Sequence, residues 1–178
     1  GYMKLESLLK EICKSDRLNS PCAKLYKTDV IKVHSLFFDE NMKFAEDEDF
    51  LIKFINYNPS AIIYYENIIA YKYLRTEQTG KTRLKKHSDI ILNNCVNIHE
   101  KELQLLNNFN LNKNELIFYR NLIYEKKIKA IFNITSDLIS LKKLDSVKRS
   151  FIHNSLEEIY GCSDFKSSNK IRIELNLI

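Results

Sequence analysis

The sequence predicts a mixed, helix-dominated chain of the α+β class, in which a small section of short strands and helices is followed by an all-helical tail. Three observations lead there. Only three Gly and two Pro occur in 178 residues, and because these residues punctuate turns, their scarcity argues for long helices with few tight connections. From Leu84 onward apolar residues recur at helical spacing, whereas Ala61–Tyr65 and Ile68–Leu74 are short runs rich in Ile and Tyr. The 44% hydrophobic content lies in the ordinary globular range and argues against disorder.

Taken in order, residues 2–14 place Leu5, Leu8, Leu9, Ile12 and Cys13 on one side of an amphipathic helix. Ser15 to Pro21 is polar and reads as a loop, and Lys24 to Val33 as a strand edge followed by a helical turn. Phe37 and Phe38 are expected in the core. Glu46 to Tyr57 is a helix, with Phe50, Leu51, Phe54 and Ile55 on one side and its acids crowded into the first turn, where the helix dipole favours negative charge. Asn58-Pro59 stops it. Two strands, 61–65 and 68–74, are expected around Glu66-Asn67, then a polar loop from Arg75 to Thr82. Helices over about 84–107, 113–140 with an internal break, and 145–160 ending at Gly161 complete the tail, and Ile171–Ile178 alternates enough for a strand. A boundary falls near residues 80–84.

Composition excludes several classes. The formal charge of +5 is mild, and the cations are scattered among acids, with no finger, helix-turn-helix or RNA-recognition pattern, so no nucleic-acid partner is expected. Cys13, Cys22, Cys95 and Cys162 include no C-x-x-C pair and read as four buried free thiols, and no metal set is spelled out by them or by the four His. No apolar run approaches the roughly 18–20 residues a membrane span needs. A cytoplasmic location is expected. The opening Gly1-Tyr2-Met3 suits a fragment of a longer protein.

The stretch that carries chemistry reads Ala23-Lys24-Leu25-Tyr26-Lys27, then Phe38-Asp39-Glu40, then Glu46-Asp47-Glu48-Asp49-Phe50, then Tyr71-Lys72-Tyr73-Leu74-Arg75. In that order it resembles the second half of family 2 glycosyltransferases of the GT-A type, whose pattern commonly runs N-K-L-Y, F-D-E, G-E-D-x-x-F and Y-Y-Y-R before a Ser/Thr-containing loop. Ala23 stands where the family has Asn, Ala45 where it has Gly, and Leu74 interrupts the aromatic run. The resemblance covers residues 15 to 82. It implies that residues 1–82 are the carboxyl-terminal portion of a GT-A domain, its strand pair completing that α/β fold, and that 83–178 is a helical extension.

The resemblance further implies roles. Asp47 falls on the catalytic base and Glu46 on the acid preceding it; Lys24, Tyr26, Tyr73 and Arg75 fall on substrate-binding positions. The implied reaction is inverting transfer of a sugar from a nucleotide sugar to a hydroxyl of a saccharide or lipid-linked acceptor, in bacterial surface polysaccharide synthesis. A carboxylate takes the acceptor's proton as the new bond forms. A divalent metal, Mg or Mn, is expected for the complete enzyme, held by an Asp-x-Asp in a preceding nucleotide-binding half, so that this fragment alone is inactive. Self-association through the helical tail and a peripheral contact with the inner membrane face, through Lys81, Arg83, Lys85 and Lys86, are compatible with the pattern. The alternative is a non-enzymatic helical interaction module, in which the acids of residues 46–49 only cap a helix.

Overall fold

The computed structural model describes residues 1–20, 22, 24–64, 66, 78–163 and 165, except for the side chains of 17 and 78–81. Within them the chain is mostly helical with one small antiparallel sheet. Strand β1 (Tyr2–Lys4) leads through a 3-10 turn into α1 (Leu9–Lys14); then come α2 (Thr28–Val33), α3 (Glu46–Asn56), β2 (Ile62–Tyr64), α4 (Gln78–Leu105), α5 (Lys113–Ser140) and α6 (Ser146–Tyr160).

β1 pairs with β2 in the register Tyr2 to Tyr64, Met3 to Ile63 and Lys4 to Ile62, and Leu5 N–H extends the ladder to Ala61 C=O at 3.0 Å. Ile63 turns towards the core, while Tyr2 and Tyr64 meet on the outer face with ring centroids 5.0 Å apart. Residues 2–4 are therefore a strand, where local spacing predicts helix. Pairing with a segment sixty residues away overrides a weak local preference. The same pairing gives residues 62–64 a partner on one edge; the second strand expected after Glu66-Asn67, 68–74, and the one expected at 171–178 lie outside the described residues.

Three apolar clusters hold the helices together. Leu84, Ile91 and Cys95 of α4 pack with Ile131 and Leu138 of α5 and with Ile152 and Leu156 of α6. Leu51, Ile52 and Ile55 of α3 meet Ile12, Ile98 and Leu105, and Leu9 and Cys13 of α1 meet Leu106 and Ile123. Each such buried aliphatic side chain contributes about 1.5–3 kcal/mol. The second and third clusters draw side chains from both sides of residue 82.

Local chemistry sets the helix ends. Asn112 accepts from the N–H of Asn114 and Glu115 while the Glu115 carboxylate accepts from Asn112 N–H, a reciprocal capping box that starts α5. Asp145 caps α6 through Lys148 N–H. The break expected inside 113–140 is not there; the one non-helical residue of these long helices is His87 in α4, at φ −132°, ψ 36°. α4 begins at Gln78, so part of the expected 75–82 loop is helix. Gly161 ends α6 at φ −70°, a right-handed conformation that needs no glycine.

Two expectations of burial are corrected. Phe37 and Phe38 are 71% and 44% exposed, because α2 buries no residue at all and the segment after it turns Leu36 inward instead. Of the thiols, Cys13 and Cys95 are buried and Cys22 and Cys162 only partly so.

Candidate functional site

The acids of the first turn of α3 separate into two pairs with different fates. Successive residues of a helix are offset by about 100°, which puts Asp47 and Asp49 some 200° apart and on different faces. Asp49 is fully buried, paired with Lys53 Nζ at 2.6 Å and with Lys101. Burial alone would raise its pKa, but the hydrogen bonds from Lys101 and Lys53 outweigh that and lower it. Glu48 faces the same way and meets Lys126 Nζ at 2.5 Å; Lys126 also holds Glu102 Oε1 at 2.7 Å and Asp16 Oδ1 at 3.1 Å. This buried network joins α3 to α4 and α5.

Glu46 and Asp47 are left on the half-exposed side. The turn that presents them is made by Ala45, in the left-handed region at φ 59°, ψ 26°; its C=O accepts the Asp49 N–H at 3.0 Å. An L-residue with a Cβ adopts that conformation at a cost that glycine avoids.

Around Asp47 the structure gathers Lys24 and Tyr26 from the segment before α2 and Arg83 from the first part of α4. Tyr26 packs edge-on against Phe50 and Phe54 of α3, with centroids 5.3 and 4.9 Å away. Its hydroxyl is pushed up to about 12 by burial and by the neighbouring Asp47, and has no hydrogen-bond partner among the described residues. Burial depresses the Lys24 ammonium, against the influence of Cys22 and Asp47, and that ammonium donates to the Ser20 carbonyl. Burial and Glu46 raise the Asp47 carboxyl, while Arg83 and Lys24 oppose the rise. Arg83 Nη1 also lies 3.6 Å from Glu46 Oε1.

Of the six residues singled out in the sequence, four thus meet at one corner: Lys24, Tyr26, Glu46 and Asp47. Tyr73 and Arg75 lie outside the described residues. Arg83 is the member that sequence reasoning missed, having been grouped with Lys81, Lys85 and Lys86 as a solvated face; Arg83, Lys85 and Lys86 are all exposed, and no local pattern separates Arg83 from the lysines. Phe50 is buried as expected, with Phe38 stacked on it at 4.6 Å and 16°.

A half-buried carboxylate at the positive end of a helix, with a phenol and two cations beside it, can take a proton from a hydroxyl and keep the surrounding charge balanced. The corner does not fit a divalent metal. Asp47-Glu48-Asp49 spells an Asp-x-Asp, yet Asp49 faces away and is neutralised by two lysines, and no group of three His, Cys, Asp or Glu that could hold a metal occurs among the described residues. None of the described helices is long and apolar enough to cross a membrane. Comparison with protein-family models, curated proteins and solved structures returns no match.

Proposed function

We propose that this chain carries the proton-accepting corner of an inverting glycosyltransferase, in which Asp47 is the general base that takes the proton of an acceptor hydroxyl. The observation that supports this reading is the meeting of Lys24 and Tyr26 with Asp47, more than twenty residues further along the chain, at one half-buried corner. The left-handed turn at Ala45 adds to it, because the resemblance places Gly at that position. The upward shift of the carboxyl by burial and Glu46 makes Asp47 a stronger base, while Arg83 and Lys24 oppose the rise and favour the ionised form. The unpartnered Tyr26 hydroxyl and the Lys24 ammonium are donors for the acceptor's oxygens. On this reading the strand pair completes a GT-A sheet. The nucleotide sugar and its Mg or Mn ion belong to a nucleotide-binding half that this corner faces, and the cellular setting is bacterial polysaccharide assembly at the cytoplasmic side of a membrane.

The test is Asp47→Asn in a polypeptide that joins this chain to its donor-binding half. Asn keeps the volume and the capping ability but cannot accept the proton, so transfer should fall by about 10²–10⁴-fold, with donor affinity and melting temperature unchanged. Near-normal transfer by that variant removes Asp47 from the role of base.

A second reading is favoured by a different observation. α2 has no buried residue, and Leu25, Val33 and Phe37 beside it are at least 70% exposed, an apolar surface of the kind that protein partners cover. A helical interaction module would use that face and leave Asp47 as an ordinary first-turn acid.

A further inference from the structure

One end of the helical bundle concentrates positive charge. There α5 ends, the chain turns at Lys142 with a left-handed φ of 55°, and α6 begins. The start of α4 lies alongside, with Leu84 packed among Leu138, Leu141 and Leu144 and Asp89 paired with Lys148 at 2.9 Å. Residues 84–90 and 137–149 hold six cations, Lys85, Lys86, Lys142, Lys143, Lys148 and Arg149, against three acids, Asp89, Asp137 and Asp145. Lys148 answers two of those acids, since it also reaches Asp145 at 2.5 Å. Lys85, Lys86, Lys142 and Lys143 are exposed, and none of the four pairs with a carboxylate among the described residues.

Lysines at a helix C-terminus ordinarily serve its last carbonyls. Here the backbone does that: Leu141 N–H donates to Asp137 C=O at 3.0 Å, Lys142 N–H to Ile139 C=O at 3.0 Å and Lys143 N–H to Leu138 C=O at 2.9 Å. The ammonium groups are therefore not needed as caps. Beside them stand Ile139, 55% exposed in the last turn of α5, and Val147, 76% exposed in the first turn of α6. One exposed aliphatic side chain is ordinary, but two that flank a single turn among unpaired lysines call for a partner with anionic groups and hydrocarbon in the same place. Nucleic acid offers the anions, yet its apolar surface is that of bases, which aromatic side chains stack on, and neither segment contains Phe, Tyr or Trp. A bilayer surface rich in anionic lipid offers both. Its phosphates lie where lysines on long stems reach them, and its acyl chains begin just beneath, where aliphatic side chains insert.

We propose that the turn joining α5 to α6 is a membrane-contacting tip, at which Ile139 and Val147 enter the headgroup layer of an anionic lipid surface while Lys142 and Lys143, with Lys85 and Lys86 of α4, meet its phosphates. The contact is peripheral, since none of the described helices is long and apolar enough to cross a membrane. It enlarges the basic run at the start of α4 with a second run from the opposite strand of the helical hairpin and with the apolar side chains that a basic run alone lacks. The proposal stands apart from the transfer reading: the tip can bind lipid whether or not Asp47 takes a proton.

Co-sedimentation of the intact chain with vesicles tests it, using phosphatidylcholine alone and phosphatidylcholine with a third of phosphatidylglycerol. The chain should sediment with the anionic vesicles and not with the neutral ones, and about 1 M NaCl, where the Debye length falls to about 3 Å, should release most of it. Each lysine near such a surface contributes roughly fivefold to binding, so Lys142→Asn with Lys143→Gln should weaken it about 20–30-fold; Asn tolerates the left-handed turn that Lys142 makes. Ile139→Ser with Val147→Ser should weaken it at least tenfold with every charge kept. All four positions are exposed, and unchanged melting curves will show that the fold is kept. Lys32→Gln with Lys113→Gln removes two exposed charges elsewhere, Lys113 at the far end of α5, and should bind as the parent does. Fluorescence anisotropy with duplex DNA and single-stranded RNA oligonucleotides supplies the competing arm, in which weaker binding than to the anionic vesicles is expected. The proposal is overturned if the chain does not sediment with anionic vesicles, if it sediments equally with neutral ones, or if either tip variant binds as well as the parent. It is equally overturned if the control pair weakens binding as much as the tip lysines do, or if an oligonucleotide binds more tightly than the vesicles.

Discussion

Replacing Lys126 with Met tests the buried network that ties the acidic turn to the helical tail. Lys126 is 6% exposed and donates to two buried carboxylates, Glu48 at 2.5 Å and Glu102 at 2.7 Å. Burial alone would lower its pKa, but Glu102, Glu48 and Asp16 outweigh that and raise it, so the ammonium is charged in the core. A hydrogen bond to a charged group contributes about 1.5–3 kcal/mol, and removing one member of a buried ion pair costs about 3–5 kcal/mol because the remaining charge is stranded. The two estimates agree, since two such bonds are lost. For a chain of this size about 3–5 kcal/mol corresponds to a fall of roughly 6–20 °C in melting temperature. Circular dichroism in urea and on heating at pH 7 measures it. Adding Glu48→Gln and Glu102→Gln to Lys126→Met should recover most of the loss, because no carboxylate is then left unpaired. A loss below about 1 kcal/mol for Lys126→Met, or no recovery in the triple variant, would refute this account of the network.

Two further outcomes are expected. His99 is buried with its Nδ1 against the Cys95 carbonyl at 2.6 Å, and burial pushes its pKa down to about 4; the stability this neutral ring provides is present above its ordinary value of about 6.5 and is lost as pH falls through about 4, a loss of about 3 kcal/mol. Glu102, whose carboxyl burial raises, has the opposite slope, so in urea melts from pH 7 to pH 4 His99→Gln should lose the fall contributed by His99 and become more stable relative to the parent as the pH drops; a pH dependence identical to the parent's would refute the assignment. Ala45→Gly should stabilise by about 0.5 kcal/mol, the relief of a left-handed Cβ offset by a more flexible unfolded chain, whereas Ala45→Val should destabilise by more than about 1 kcal/mol; equal melting temperatures for the two would show that the turn carries no strain.

The long helices were readable in the sequence because their apolar spacing is local: 113–140 and 145–160 emerge within a residue of their observed ends, the first marked by Asn112 and Glu115. The start of α3 was equally legible from its acids. What the sequence hid depends on distant partners. Residues 2–4 look helical until Ile62–Tyr64 is laid beside them. Phe37 and Phe38 look like core until α2 is seen to bury nothing. At the candidate site, the order of Lys24, Tyr26 and Asp47 along the chain pointed to one corner, but not which of four adjacent acids face it; that is decided by Lys53, Lys101 and Lys126, whose role as internal counter-ions no short motif announces. Arg83 was hidden for the same reason, since its partner Glu46 is 37 residues away.

The packing of α1 against residues of α4 and α5 sets an order of events during synthesis. Ile123, with which Leu9 and Cys13 share a cluster, leaves the ribosome more than a hundred residues after them. At about 5–20 residues per second, the amino-terminal helix waits on the order of 5–20 s for its seat. Throughout that interval its apolar side, and the edge of β1 until Ile62–Tyr64 arrives, are open to any chaperone or neighbouring nascent chain. Residues 2–14, housed long after they are made, are where a slowed ribosome or a crowded polysome would do this fold the most harm.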